Sequence, residues 1–153
     1  MHIALIEPEI PSNAGNIART CVLTGTRLHL VKPLGFSLDD RYLKRAGLDY
    51  WQYLDLEVHN TFVELKSKYP QSNFYFFTTK GKKLYTDIVY NTEDFLVFGK
   101  ETAGLPQHIL EEHESNCVRI PMSSALKRSL NLSNAVAIAL YEALRKQSFP
   151  GLL

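Results

Sequence analysis

Phe95-Leu96-Val97-Phe98-Gly99-Lys100-Glu101-Thr102-Ala103-Gly104-Leu105-Pro106 is an apolar run that breaks into a polar loop with two glycines and closes on a proline. A short continuous apolar run bounded by turn residues is the pattern of a strand buried on both faces, the usual state of strands in a parallel sheet. Pro106 suits the opening of a helix, and Gln107–Glu112 reads as that helix. The unit is strand, loop, helix, with the loop at the carboxyl end of the strand.

Working outward, Ile3–Ile6, Leu28–Val31, Phe74–Thr78 and Val118–Ile120 are further apolar, β-branched or aromatic runs, and Ala14–Leu23, Thr61–Tyr69 and Asn131–Gln147 read as helices. The alternation predicts an α/β fold, a mostly parallel sheet flanked by helices. Polar loops Pro8–Asn16, Thr79–Lys83, Gly99–Pro106 and Pro121–Asn134 follow four of the strands. Ligands of open parallel sheets bind outside the carboxyl ends of the strands, so these loops define one candidate pocket. No internal repeat or low-complexity linker interrupts the 153 residues, which predicts a single domain spanning 1–153.

The last helix carries Ala135-Val136-Ala137-Ile138-Ala139-Leu140-Tyr141, apolar around its whole circumference. Such a helix must be covered on more than one side. A homodimer in which it packs on its twin meets that need, with a wholly internal helix in a monomer as the alternative.

Composition is that of a soluble globular protein, 45% hydrophobic and 22% charged, and the formal net charge is only +1. Global charge therefore does not hold a polyanion, although Arg41, Lys44 and Arg45, then Lys80, Lys82 and Lys83, then Lys127 and Arg128 form local basic clusters. Cys21 and Cys117 lack metal-ligand spacing and suggest reduced, buried thiols. The five histidines are scattered and carry ordinary surface or core roles. The N-terminal apolar run is too short for a secretory signal, and no run approaches the ~18 apolar residues of a membrane span, so a cytoplasmic location is expected. Gly99-Lys100-Glu101-Thr102 fails as a P-loop because Asp94 replaces the upstream glycine and Glu101 the magnesium-binding hydroxyl. No G-x-G-x-x-G follows the first strand and no G-x-S-x-G elbow is present, which excludes the common dinucleotide and hydrolase readings.

Three segments remain, denser in polar residues than a scaffold needs. Pro11-Ser12-Asn13-Ala14-Gly15-Asn16-Ile17-Ala18-Arg19 places Asn16 and Arg19 three apart on one helix face, fit to meet an anion, or Arg19 to pair with a nearby acid. In Phe98–Pro106 the glycines either let backbone approach a ligand or simply make a tight loop. Ile120-Pro121-Met122, followed by Ser129-Leu130-Asn131-Leu132-Ser133-Asn134, is a ligand loop or a set of helix caps.

In this order the three segments resemble the motifs of the SPOUT superfamily of RNA 2′-O-methyltransferases: N-x-G-N-x-x-R, F-G-x-E-x-x-G-L-P, and I-P-M followed by S-L-N-L-S-N-A. The likeness runs from Ile6-Glu7-Pro8-Glu9-Ile10-Pro11 to Tyr141-Glu142-Ala143. The short length and Arg45-Ala46-Gly47-Leu48-Asp49-Tyr50 are most similar to the YibK-like (TrmL) branch, which methylates the tRNA wobble nucleotide. The resemblance implies a deep C-terminal trefoil knot and transfer of a methyl group from S-adenosylmethionine (AdoMet) to the ribose 2′-OH of cytidine or modified uridine 34, leucine tRNAs being the expected substrates. It implies AdoMet held by Phe77, Thr78, Gly99, Glu101, Ile120, Met122, Ser129, Leu130 and Asn131, with Ser133 shaping the loop. Arg19 and Asn16 become the catalytic residues, supported by Glu9. A guanidinium has no lone pair to take a proton, so Arg19 is expected to clamp phosphate or stabilise the developing alkoxide, with general-base action as the alternative. Arg41, Arg45, Lys127 and Arg128 become RNA contacts for an anticodon stem-loop, Tyr141 a dimer contact or a plain core tyrosine, and no metal is required. A non-catalytic knotted RNA-binding or ribosome-assembly dimer, or action on rRNA or another tRNA position, stays open.

Overall fold

The computed structural model describes residues 1–39, 41, 50–125 and 128–153. Seven strands, β1 (His2–Ile6), β2 (Arg27–Val31), β3 (Leu56–His59), β4 (Phe74–Phe77), β5 (Lys83–Leu84), β6 (Phe95–Phe98) and β7 (Cys117–Arg119), join in the order β3-β2-β1-β6-β4-β7-β5. Every pairing among them is parallel. The α-helices delimited among the described residues are α1 (Pro11–Thr24), α2 (Phe62–Lys68), α3 (Gln107–Glu112) and α4 (Leu132–Lys146).

Side chains alternate across each strand and so feed two cores. On one face Ile3, Leu5, Leu28, Leu30, Leu96 and Phe98 pack with Ile17, Ala18 and Cys21 of α1 and Val136, Ala139, Leu140, Ala143 and Leu144 of α4. On the other, Ala4, Ile6, Val31, Phe74, Phe76, Phe95 and Val97 pack with Leu65 of α2 and Ile109 of α3. Burial on both faces is why the central strands read as unbroken apolar runs. The domain is a three-layer α/β/α sandwich with an entirely parallel sheet among the described residues.

Two strands escape the sequence pattern. In β3 only His59 is buried, Val58 is exposed and the half-buried Glu57 is charged, so no apolar run marks this edge strand. β5 has two residues. The first helix starts at Pro11 rather than Ala14, because proline occupies its opening turn after an extended Ile10, and it ends where Gly25 turns left-handed at φ 63°. No helix among the described residues is long and apolar enough to cross a membrane.

One polar group of residues lies inside the second core. His2, His29 and His59 are buried there, with His2 and His29 against Tyr69 and Phe95 and His59 stacked on His29. Burial holds all three imidazoles below their ordinary range, His29 at about 3.

Candidate active site

After β3 the chain crosses to the far side of β1 and leaves a gap that β6 fills later, and β7 likewise enters between β4 and β5. The carboxyl ends of β1, β6, β4 and β7 thus meet where the strand order reverses, the place at which a crevice is expected. A cavity of about 640 Å³ opens there, a size in the usual range for small-molecule and cofactor sites. Phe77 and Thr78 from β4, Gly99 and Glu101 from the loop after β6, Ile120 and Met122 after β7, and Ser129 and Leu130 before α4 all line it. Eight of the nine residues named for the cofactor therefore share one wall. Asn131 does not line the cavity.

The loops are shaped by contacts that tolerate no side chain. A Cβ on Gly99 would lie 2.0 Å from the Gly104 carbonyl carbon, and one on Gly81 would lie 2.5 Å from that of Val118. Gly104 is left-handed at φ 71°, and its N–H donates to the Lys100 carbonyl at 2.8 Å. The loop after β6 is thereby folded back on itself, turning backbone groups toward the cavity.

A polar clasp locks the three motif loops together. The Glu101 carboxylate accepts from the backbone N–H groups of Glu9 (2.8 Å) and Ile10 (3.1 Å) and from Asn13 Nδ2 (3.1 Å). Glu9 answers by accepting from Thr102 N (3.1 Å) and Thr102 Oγ1 (2.8 Å). Asn13 Oδ1 accepts from Asn131 Nδ2 at 3.0 Å, while Asn131 Oδ1 caps α4 by accepting from the N–H groups of Ser133 and Asn134. Glu101 and Asn131 tie the cavity wall together, and Glu9 serves that clasp rather than Arg19.

Glu7 closes β1 in a left-handed conformation, φ 53°, which for a residue with a side chain costs about 1–3 kcal/mol and persists where the surroundings impose it. Its carboxylate lines the cavity and pairs with Lys100 Nζ at 3.0 Å, which raises the Lys100 ammonium above its ordinary range. Neither Asn13, although it opens the N-x-G-N-x-x-R motif, nor Glu7 has a role assigned from the sequence. Glu7 had one available signal, a charge placed directly after a buried strand.

Arg19 and Asn16 are exposed on α1 and do not line the cavity. Arg19 pairs with no acid among the described residues. Its guanidinium carbon lies 5.0 Å from the Tyr50 ring centroid, with a 3.5 Å contact to the tyrosine hydroxyl. Arg41 and Arg128 are exposed, while Arg45 and Lys127, with the 45–49 stretch, lie outside the described residues. On α4, Ile138 is 39% and Tyr141 49% exposed, so one side of that helix stays uncovered within the chain.

The pattern of the SpoU rRNA Methylase family matches residues 1–141. The chain belongs to this family. Among relatives of this SpoU-family chain, the tRNA (cytidine(34)-2′-O)-methyltransferase of Methylovorus glucosotrophus is 49% identical, over 97% of this chain and 97% of its own length. A protein solved to explain 2-OH methylation of C/U34 on tRNA superposes with a TM-score of 0.91 at 42% identity, covering 96% of this chain and 95% of that one. An AdoMet-bound rRNA methyltransferase from Sinorhizobium meliloti superposes at 0.79 with 28% identity, over 94% of this chain and 55% of that one. The fold is that of the SPOUT methyltransferases, as the three motifs implied.

Proposed function

We propose that this SpoU-family chain is an AdoMet-dependent methyltransferase acting on the ribose 2′-OH of nucleotide 34 of tRNA. The observation that carries the reading is the cavity at the switch point, walled by the second and third motif loops and tied to the first by the Asn13–Glu101–Asn131 clasp. The residues fit the cofactor. Gly99 lets the loop after β6 close on Gly104 at the cavity wall, polar Thr78 and Ser129 and loop backbone offer donors and acceptors, and Phe77, Ile120, Met122 and Leu130 offer apolar surface to a purine. When bound, AdoMet supplies an electrophilic methyl group. The relatives whose names specify nucleotide 34 support the substrate at near full-length coverage.

The chain's own part is positioning. The clasp fixes the cavity wall against α1, so the face bearing Asn16 and Arg19 keeps a constant relation to the cofactor site. Arg19, always charged, acts on the RNA side as a phosphate clamp or stabiliser of the developing alkoxide. The exposed Ile138 and Tyr141 patch supports a homodimer through α4, and Arg41 and Arg128, with Arg45 and Lys127, supply cations for an anticodon stem-loop. The trefoil knot belongs to the same proposal, supported by the late insertion of β7 between β4 and β5. A cytoplasmic location follows from a tRNA substrate. The test is calorimetry with AdoMet, followed by methylation of unfractionated tRNA from a strain lacking the activity and mass-spectrometric mapping of the product. A methylated ribose at nucleotide 34 is expected. AdoMet binding with methylation elsewhere would overturn the substrate, and RNA binding without methyl transfer would overturn the enzyme.

A further inference from the structure

The buried histidines of the second core form a directed chain that the methyl-transfer site does not use. His2 Nε2 lies 3.2 Å from Glu93 Oε2, His2 Nδ1 lies 2.9 Å from His29 Nε2, and His29 Nδ1 lies 3.1 Å from His59 Nε2. An ionised carboxylate only accepts, so His2 donates from Nε2 and accepts at Nδ1. His29 then donates from Nε2 and keeps its lone pair on Nδ1. That lone pair faces His59 Nε2, which lies 3.7 Å from Glu57 Oε2. One ligand atom from each of His29, Glu57 and His59 falls within 4.8 Å of the others.

From these distances we infer that His29, His59 and Glu57 form a binding site for a zinc-class divalent transition-metal ion at the β3 edge, remote from the methyl-transfer cavity. Ligand atoms at 2.0–2.1 Å from a tetrahedral ion stand about 3.3 Å apart; the 3.1 Å and 3.7 Å separations bracket that spacing, and the third pair lies within 4.8 Å. Two imidazole nitrogens and one carboxylate oxygen favour Zn²⁺, Co²⁺ or Ni²⁺ over Mg²⁺ or Ca²⁺. The fourth position is left for water. His2, backed by Glu93, holds His29 in the ligating tautomer, the outer support that metal-binding histidines commonly have. His59 needs only to move its proton from Nε2 to Nδ1, so no net charge change accompanies ligation at these imidazoles.

Entry is from the edge, where the Glu57 side chain is 21% exposed. Lys68 Nζ occupies that approach, 2.6 Å from Glu57 Oε2, and Lys68 is itself 59% exposed on a flexible stem. The ion displaces it. Tyr69 and Arg27 remain on the other carboxylate oxygen, with Tyr69 OH donating to Oε1 at 2.7 Å and Arg27 at 3.4 Å. Bound metal would fasten the short edge strand β3 to β2 through Glu57 and His59 on one strand and His29 on the other.

The experiment uses the full chain stripped with chelator and dialysed, titrated with CoCl₂ and ZnCl₂ alone. One equivalent per chain is expected, with visible cobalt absorption of a four-coordinate N/O site and a higher melting temperature. Glu57→Gln should weaken binding at least tenfold and Lys68→Gln should strengthen it severalfold, neither variant requiring a new buried group. Absence of binding at one equivalent overturns the inference. So does binding that is indifferent to Glu57→Gln and Lys68→Gln, since the ion then sits elsewhere. AdoMet affinity unchanged in Lys68→Gln supports a site separate from the cofactor cavity.

Discussion

Glu101→Gln exchanges a carboxylate for an amide of the same shape and tests whether the clasp, rather than a direct cofactor contact, is what this residue does. Glu101 Oε2 accepts one N–H and Oε1 accepts two. An amide has one oxygen. Turned to keep the bonds from Ile10 and Asn13, it sets its NH₂ against the Glu9 N–H at 2.8 Å. Turned the other way, it opposes two donors, and Asn13 cannot flip to help because its Oδ1 already accepts from Asn131. One hydrogen bond to a charged group, about 1.5–3 kcal/mol, is lost, and two others fall to neutral strength, about 1 kcal/mol less each. The site is half-exposed, so water recovers part of this, and a net loss of about 2 kcal/mol is expected. In a chain of this length that lowers the melting temperature by about 4–8 °C. Because the loosened loop must be reordered on binding, AdoMet affinity should fall by up to about thirtyfold. Differential scanning calorimetry and isothermal titration on the same preparation read both. Unchanged melting with lost affinity would make Glu101 a direct ligand, and two unchanged values would refute the clasp.

Three further outcomes are expected. Gly99→Ala forces the loop after β6 off Gly104, where the new Cβ would stand 2.0 Å from backbone, so AdoMet binding should be lost even if circular dichroism shows a folded chain; retained affinity would show that the loop yields freely. Arg19→Ala removes an exposed cation–π contact worth about 0.5–1 kcal/mol, leaves AdoMet affinity unchanged and lowers turnover about 10²–10³-fold, whereas equal loss of both would make Arg19 part of the cofactor site. Tyr141→Asp places a charge on the uncovered side of α4 and should shift sedimentation to that of a monomer, and a dimer that persists would move the interface elsewhere.

How much could be read before folding depended on where each signal was local. Strands β1, β2, β4, β6 and β7 were legible because burial on both faces writes a continuous apolar run into the chain. The edge strand β3 was not, since Glu57 is charged, Val58 is exposed and only His59 is buried. The place of the cavity was legible because loops at the carboxyl ends of parallel strands converge by geometry alone, whereas its lining residues were named by the family resemblance. Asn131 was legible as a cap but not as a partner of Asn13, which is 118 residues distant. His2, His29 and His59 read as unrelated residues because a 27- and a 30-residue separation carries no period, and only the parallel register of β1, β2 and β3 brings the imidazoles into line.

By itself, then, the chain of residues Phe95 to Pro106 and its counterparts determined an α/β fold and a pocket at the strand ends, because those properties follow from burial patterns and short-range spacing, while the methyltransferase reading came from the likeness of its motifs to a known family. Tertiary structure decided what the motif residues do. The carboxylate of Glu101 finds its donors on a loop 92 residues earlier, Arg19 lies against Tyr50 rather than an acid, and three histidines share one row of hydrogen bonds. Each of these depends on which strand inserts beside which, and strand order is a property of the whole chain that no local stretch encodes.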